Sequence, residues 1–104
     1  MPGTSRQTPA QLAAAPWPNV ASEDDTVEVA RVLSLRLEAA LGSRSVRSLS
    51  RDSDVPDGTI LRILNGATWP DIRTVARLER ALDADLYPAR GDRSAAQTPD
   101  TVVP

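Results

Sequence analysis

SVRSLSRDSDVPDGTILRILNGATWPDIRTVARLERALDADLYP, residues 45–88, decides the fold through its punctuation. Ser45 is a capping residue, and the positions after it, Val46, Leu49, Ser50 and Ser53, make a short inner stripe at helical spacing, with Arg47 and Arg51 on the outer face. A helix of about eight residues is therefore predicted here, ending in a turn through Asp54 and Val55. Pro56 follows, and its fixed φ and missing N–H suit a helix start. The next helix runs from about Asp57 to Leu64 and buries Ile60 and Ile63. Asn65 and Gly66 stop it, as residues that tolerate positive φ do. After the loop Ala67–Pro70 the period resumes in a helix from about Asp71 to Leu82, with Ile72, Val75, Leu78 and Leu82 at core spacing. Asp71 suits the positive end of that helix. Leu86 and Tyr87 return to the core before Pro88.

Upstream, Val29, Leu33, Leu37, Ala40 and Leu41 fall on one face of a helix spanning roughly Thr26 to Leu41, with Glu28, Arg31 and Glu38 facing outward and Gly42 as the stop. The spacing thus predicts an all-α bundle of four to five helices over residues 26–88, with no alternation of period two. Residues 1–25 hold four of the nine prolines, small polar residues and the acids Glu23, Asp24 and Asp25, a composition that predicts a disordered arm. Gln11 to Ala15 suits a transient helical turn. Leu12, Trp17 and Val20 are the arm's exceptions, either mere tail residues or anchors that dock on a partner or fold back on the domain. Residues 89–104 read as a flexible tail in which Val102 and Val103 are too few to anchor anything.

Composition narrows the chemistry. Among 104 residues there is no cysteine and no histidine, which removes disulfides, thiol nucleophiles, the commonest metal ligand and the usual general base near neutral pH. Ser48, Ser50 and Ser53 have no histidine partner and the five glycines form no phosphate loop, so no enzyme, cofactor or metal is expected. No apolar run approaches the roughly 18 residues of a membrane span, and the first 25 residues lack a secretory pattern. The expectation is a soluble cytoplasmic protein with no membrane partner. All twelve basic residues are arginine, in keeping with a GC-rich coding bias, and the net charge is −2. Between residues 31 and 62, however, six arginines (31, 36, 44, 47, 51, 62) face four acids (38, 52, 54, 57), a local excess of two.

Two short helices joined by a tight turn between two longer ones is a layout used to read DNA. From Ser45 onward the sequence resembles the Cro/cI-type, or XRE-type, lambda-repressor-like helix-turn-helix family, in particular its versions from GC-rich actinobacteria. The resemblance rests on Leu49 and Val55 at the turn, Thr59 and Ile60 entering the next helix, the Asn65–Gly66 stop and the Trp69–Pro70–Asp71 start, and covers roughly Val27 to Pro88. Val46, Ser50 and Asp54 stand where the family often has glutamine, alanine and glycine.

The resemblance implies double-stranded DNA as the partner, a homodimer on paired half-sites, and a nucleoid location when bound. It also implies phosphate contacts from Arg44, Ser45, Arg47, Thr59, Asn65, Thr68 and Trp69, to which Arg73 at the start of the following helix adds a further cation. On the helix 57–64, Asp57, Gly58, Leu61 and Arg62 lie off the Ile60–Ile63 face and are the base-contacting candidates. Arg62 suits a guanine edge, a phosphate or an ion pair with Asp57. Leu61 suits a thymine methyl, solvent or a partner surface, and Asp57 suits a cytosine amino group or the helix N-terminus. The function expected is a small sequence-specific transcriptional regulator, a repressor or antitoxin-like protein. The alternative is a helix-turn-helix module turned to protein–protein interaction through Leu61 or the tails.

Overall fold

The computed structural model describes residues 7–93. Its elements are α1 (Pro9–Leu12), α2 (Asp25–Leu41), α3 (Val46–Ser53), α4 (Asp57–Leu64), α5 (Ile72–Leu82) and a single 3₁₀ turn at Arg90–Asp92, with no strand among the described residues. None of these helices is long and apolar enough to cross a membrane. Each boundary has a local cause. Asp24 accepts from the Thr26 and Val27 amides at the head of α2, Ser45 from Ser48 at the head of α3, and Asp71 from Thr74 at the head of α5. Gly42 and Gly66 take positive φ after α2 and α4, the values being 56° and 67°. Asn65 does not share that geometry: its φ is −91°, so the left-handed step falls on the glycine alone.

The α3–α4 turn makes its reversal at Asp54, in the left-handed region with φ 63° and ψ 30°. A Cβ costs energy there, and aspartate tolerates the strain better than most residues. Asp54→Gly is expected to stabilise the protein by up to about 1 kcal/mol, the strain relieved being partly offset by the freedom glycine gains in the unfolded chain. A shift of the urea midpoint to higher concentration would show it, and a shift to lower concentration would mean that the carboxylate itself holds the turn.

The core forms where α2, α3, α4 and α5 meet. Leu33, Leu37, Leu49, Val55, Ile60, Ile63, Val75, Leu78 and Leu86 make one buried cluster, with Leu41, Val46, Leu64 and Leu82 partly buried around it. Leu86 is held in place because Glu79 on α5 accepts from its amide and that of Tyr87, at 2.7 and 3.1 Å. Two residues assigned to this core by spacing lie outside it: Ile72 is 84% exposed and Tyr87 49%. Ile72 is the first residue of α5, beyond the reach of the elements packed on Val75 and Leu78. That end of the stripe opens instead on a groove of about 300 Å³ lined by Val29, Leu33, Trp69, Val75 and Tyr87.

The expectation of a disordered arm is corrected over residues 7–24, which lie against the helical core. Thr8 and Gln11 form a reciprocal capping box at the head of α1, so the helical turn begins at Pro9 and ends at Leu12, not at Ala15. Trp17, the anchor of the segment, is half-buried and donates its indole N–H to the Leu64 carbonyl at 3.0 Å. The arm also overturns the outward placement of Glu28 and Arg31. Glu28 is fully buried and receives the Arg31 guanidinium at 2.6 and 2.9 Å and the Ser22 amide at 2.7 Å. Arg31 in turn donates to the Pro18 carbonyl at 3.1 Å, so the pair clasps the arm to α2. Burial opposes charge on Glu28, but the Arg31 guanidinium and the Ser22 amide outweigh it and hold the carboxyl below its ordinary value.

At the other end, Pro88 is buried and the 3₁₀ turn brings Asp92 to Arg36 at 3.3 Å, so the expectation of a flexible tail from Ala89 is corrected over residues 89–93. Residues 1–6 and 94–104, including Val102 and Val103, lie outside the described residues.

Candidate nucleic-acid interface

The four residues expected to meet bases share the outer surface of α4. Ile60 and Ile63 turn inward and lock the helix by its buried face, which leaves Leu61 46% exposed and Arg62 exposed, with Asp57 and Gly58 half-buried at the leading turn. Pro56 stands just before the helix and supplies no side-chain cap, and Asp57 occupies its first turn. The negative carboxylate there complements the positive end of the helix.

Arg62 does not pair with Asp57: the ion pairs among the described residues are Glu28–Arg31, Arg36–Asp92 and Arg44–Asp52. Instead its guanidinium folds back along α4 and donates to the Thr59 hydroxyl at 3.2 Å. The guanidinium lies close over Gly58, where a Cβ would fall 3.2 Å from an Arg62 terminal nitrogen. The glycine in the leading turn thus gives the arginine a resting place over the helix N-terminus. Thr59, expected at a phosphate, serves here as the arginine's support.

The residues expected at phosphates separate into two groups. Arg47 on α3 and Arg73 on α5 are exposed, and Asn65 is exposed at the end of α4. Arg51 is a further exposed cation on α3, and it falls outside the expected contacts. The second group is already engaged. Arg44 bonds Asp52 and, at 3.2 Å, the Ser48 hydroxyl, which ties the start of α3 to its last turn. Ser45 is used as the α3 cap. Trp69, half-buried beside Thr68, donates its indole N–H to the Gln7 carbonyl at 2.8 Å. These three are spent on the protein itself.

No protein-family model matches the chain, and a search among curated proteins finds no match either. Arg47 and Arg51 on α3 and Arg62 on α4 are exposed guanidinium groups, each able to meet a phosphate or a planar acceptor edge through two hydrogen bonds.

The loop after α4 is held by residues far away in sequence. The Leu64 carbonyl at the end of α4 accepts from both the Ser34 hydroxyl, at 2.9 Å, and the Trp17 indole. The Gly66 carbonyl accepts from the Ala10 amide at 2.9 Å. Gln7 and Ala10 are the participants that sequence reasoning missed, whereas Trp17 was among the residues read either as tail or as anchors that fold back on the domain. The one signal for them is Trp17 itself, a large aromatic residue between prolines in an otherwise small and polar stretch. At the head of α5, the Thr74 amide and then its hydroxyl hold the Asp71 carboxyl below its ordinary value. The cap therefore stays charged to a lower pH than a free aspartate.

Proposed function

We propose that this chain is a small sequence-specific DNA-binding protein, a transcriptional regulator of the repressor or antitoxin-like kind. It resembles the lambda-repressor-like helix-turn-helix family, acts in the cytoplasm on the nucleoid, and binds paired half-sites as a dimer. The observation that carries this reading is the outer face of α4, where Gly58, Leu61 and Arg62 stand clear of the core on a helix locked from behind by Ile60 and Ile63. An α-helix of this kind fits the major groove, and its leading residues reach base edges. Arg62 acts as the base reader once it leaves Thr59, and Arg47, Arg51 and Arg73 hold the phosphates.

The test is selection of bound duplexes from a random library, followed by titration of the winner at two salt concentrations. A motif with half-sites about one helical turn apart is expected from a dimer. Arg62→Ala should relax preference at one base pair by about 1–3 kcal/mol, whereas Arg47→Ala should weaken all duplexes alike and reduce the salt slope by about one. If the two variants behave identically across the library, the division between base and phosphate roles is wrong.

A second reading, a module for protein–protein interaction, is favoured by the exposure of Leu61 and by the internal pairing of Arg44 with Asp52. It predicts no enriched motif and an association that barely changes with salt, because no counterions are released.

A further inference from the structure

The segment Gln7–Pro18 lies on the loop Leu64–Trp69, where the family resemblance implies phosphate contacts from Asn65, Thr68 and Trp69. Its attachment runs in both directions. The arm donates through the Ala10 amide to Gly66 and through the Trp17 indole to Leu64, while the loop donates through the Trp69 indole to Gln7. Gly66 is the point of closest approach, since a Cβ there would fall 2.6 Å from the Trp17 ring and 2.9 Å from the Ala10 methyl carbon. Farther along, Arg31 holds the Pro18 carbonyl and Glu28 the Ser22 amide.

An indole has a single donor, so Trp69 cannot serve Gln7 and a phosphate together. The arm also covers the Gly66 backbone on the same loop. We propose that residues 7–18 form an autoinhibitory strap, which competes with the DNA backbone for the loop 64–69 and must lift before the loop can engage a duplex. The proposal rests on the DNA-binding reading above.

The strap is built to open before the core does. Its hold consists of neutral hydrogen bonds, one half-buried ring and the buried Pro9, with Gln7 and Gln11 exposed, whereas α2–α5 share a larger, fully buried apolar cluster. Its clasp on α2 at Glu28 and Arg31 is stronger and lies beyond Trp17. The first part of the arm can therefore peel away while the chain stays anchored near Pro18. Only the open fraction of molecules presents the loop, and the measured affinity is reduced by that fraction.

The experiment uses the full chain as wild type, Trp17→Ala and Ala10→Pro. Proline at residue 10 removes the amide that holds Gly66, and its position outside α2–α5 leaves the buried cluster untouched. Each protein is titrated into one labelled mixed-sequence duplex, with helical content checked by circular dichroism and the two indole N–H resonances followed by NMR. Both variants are expected to bind more tightly than wild type. A gain of about tenfold corresponds to a strap closed about nine tenths of the time. In wild type the Trp69 indole resonance should move on adding duplex, towards the position it already holds in Ala10→Pro.

If Ala10→Pro keeps its helical content and binds equally or more weakly than wild type, the strap is a brace for the loop and the proposal is overturned while the DNA reading stands. If no form binds this duplex or enriches any from a random library, the DNA reading fails and the strap fails with it.

Discussion

Ile60→Ala is expected to lower the unfolding free energy by about 2–5 kcal/mol, the range for removing a large aliphatic side chain from a closed core. Ile60 is fully buried within the cluster that joins α2, α3, α4 and α5, so the deleted atoms leave a cavity inside it. A chain of this size melts about 4–8 °C lower for each kcal/mol lost. The urea midpoint should fall with an unchanged slope, which would assign the effect to the folded state. Ile72→Ala provides the contrast. Both isoleucines sit at core spacing in the sequence, but Ile72 is 84% exposed, and its truncation should stay within about 0.5 kcal/mol. Equal losses at the two positions would mean that the groove beside Ile72 is filled in solution.

Glu28→Ala is expected to have the second largest effect. Removing one member of a buried ion pair costs roughly 3–5 kcal/mol, and this case should fall toward the lower end because Arg31 retains 13% side-chain exposure and can turn to water. The Ser22 amide and two guanidinium bonds lose their acceptor together, so the arm should loosen along α2. The sign of the pH dependence follows from the direction of the shift. The carboxyl is held below its ordinary value when folded, so its contribution is complete above the unfolded glutamate value and disappears as pH falls through the folded one. Asp24 and Asp71, whose carboxyls are also held low, are present in both proteins and cancel in the comparison. The gap in unfolding free energy between wild type and Glu28→Ala should therefore be widest near neutral pH and should narrow on acidification through that window. A gap independent of pH would mean that Glu28 acts through packing and not through charge.

The helices α2 to α5 were legible because each carries its signals locally. Ser45 caps where a capping residue was expected, Asp71 sits at the positive end of its helix as expected and serves there as the cap, Gly42 and Gly66 turn where glycines were expected, and the periodic aliphatics from Leu33 to Leu78 meet in one core. The candidate interface was legible in part. Leu61 and Arg62 stand exposed as their place off the Ile60–Ile63 face implies, but nothing in the spacing indicates that Arg44 is tied to Asp52 or that Arg62 rests on Thr59.

The sequence alone determined the order and hand of these elements, since caps, stops and a 3.6-residue period act within a few residues of one another. The second face of α2 was decided only by the tertiary structure. Glu28 and Arg31 look solvent-facing on a helix considered against one partner, and become buried because a segment without periodicity lies across them. That segment is held by backbone carbonyls and amides, at Gln7, Ala10, Pro18 and Ser22 and on the loop at Leu64 and Gly66, which every residue type possesses. Contacts of this kind leave almost no mark in the side-chain pattern, so Trp17 was the arm's one legible anchor and its destination was set by the fold.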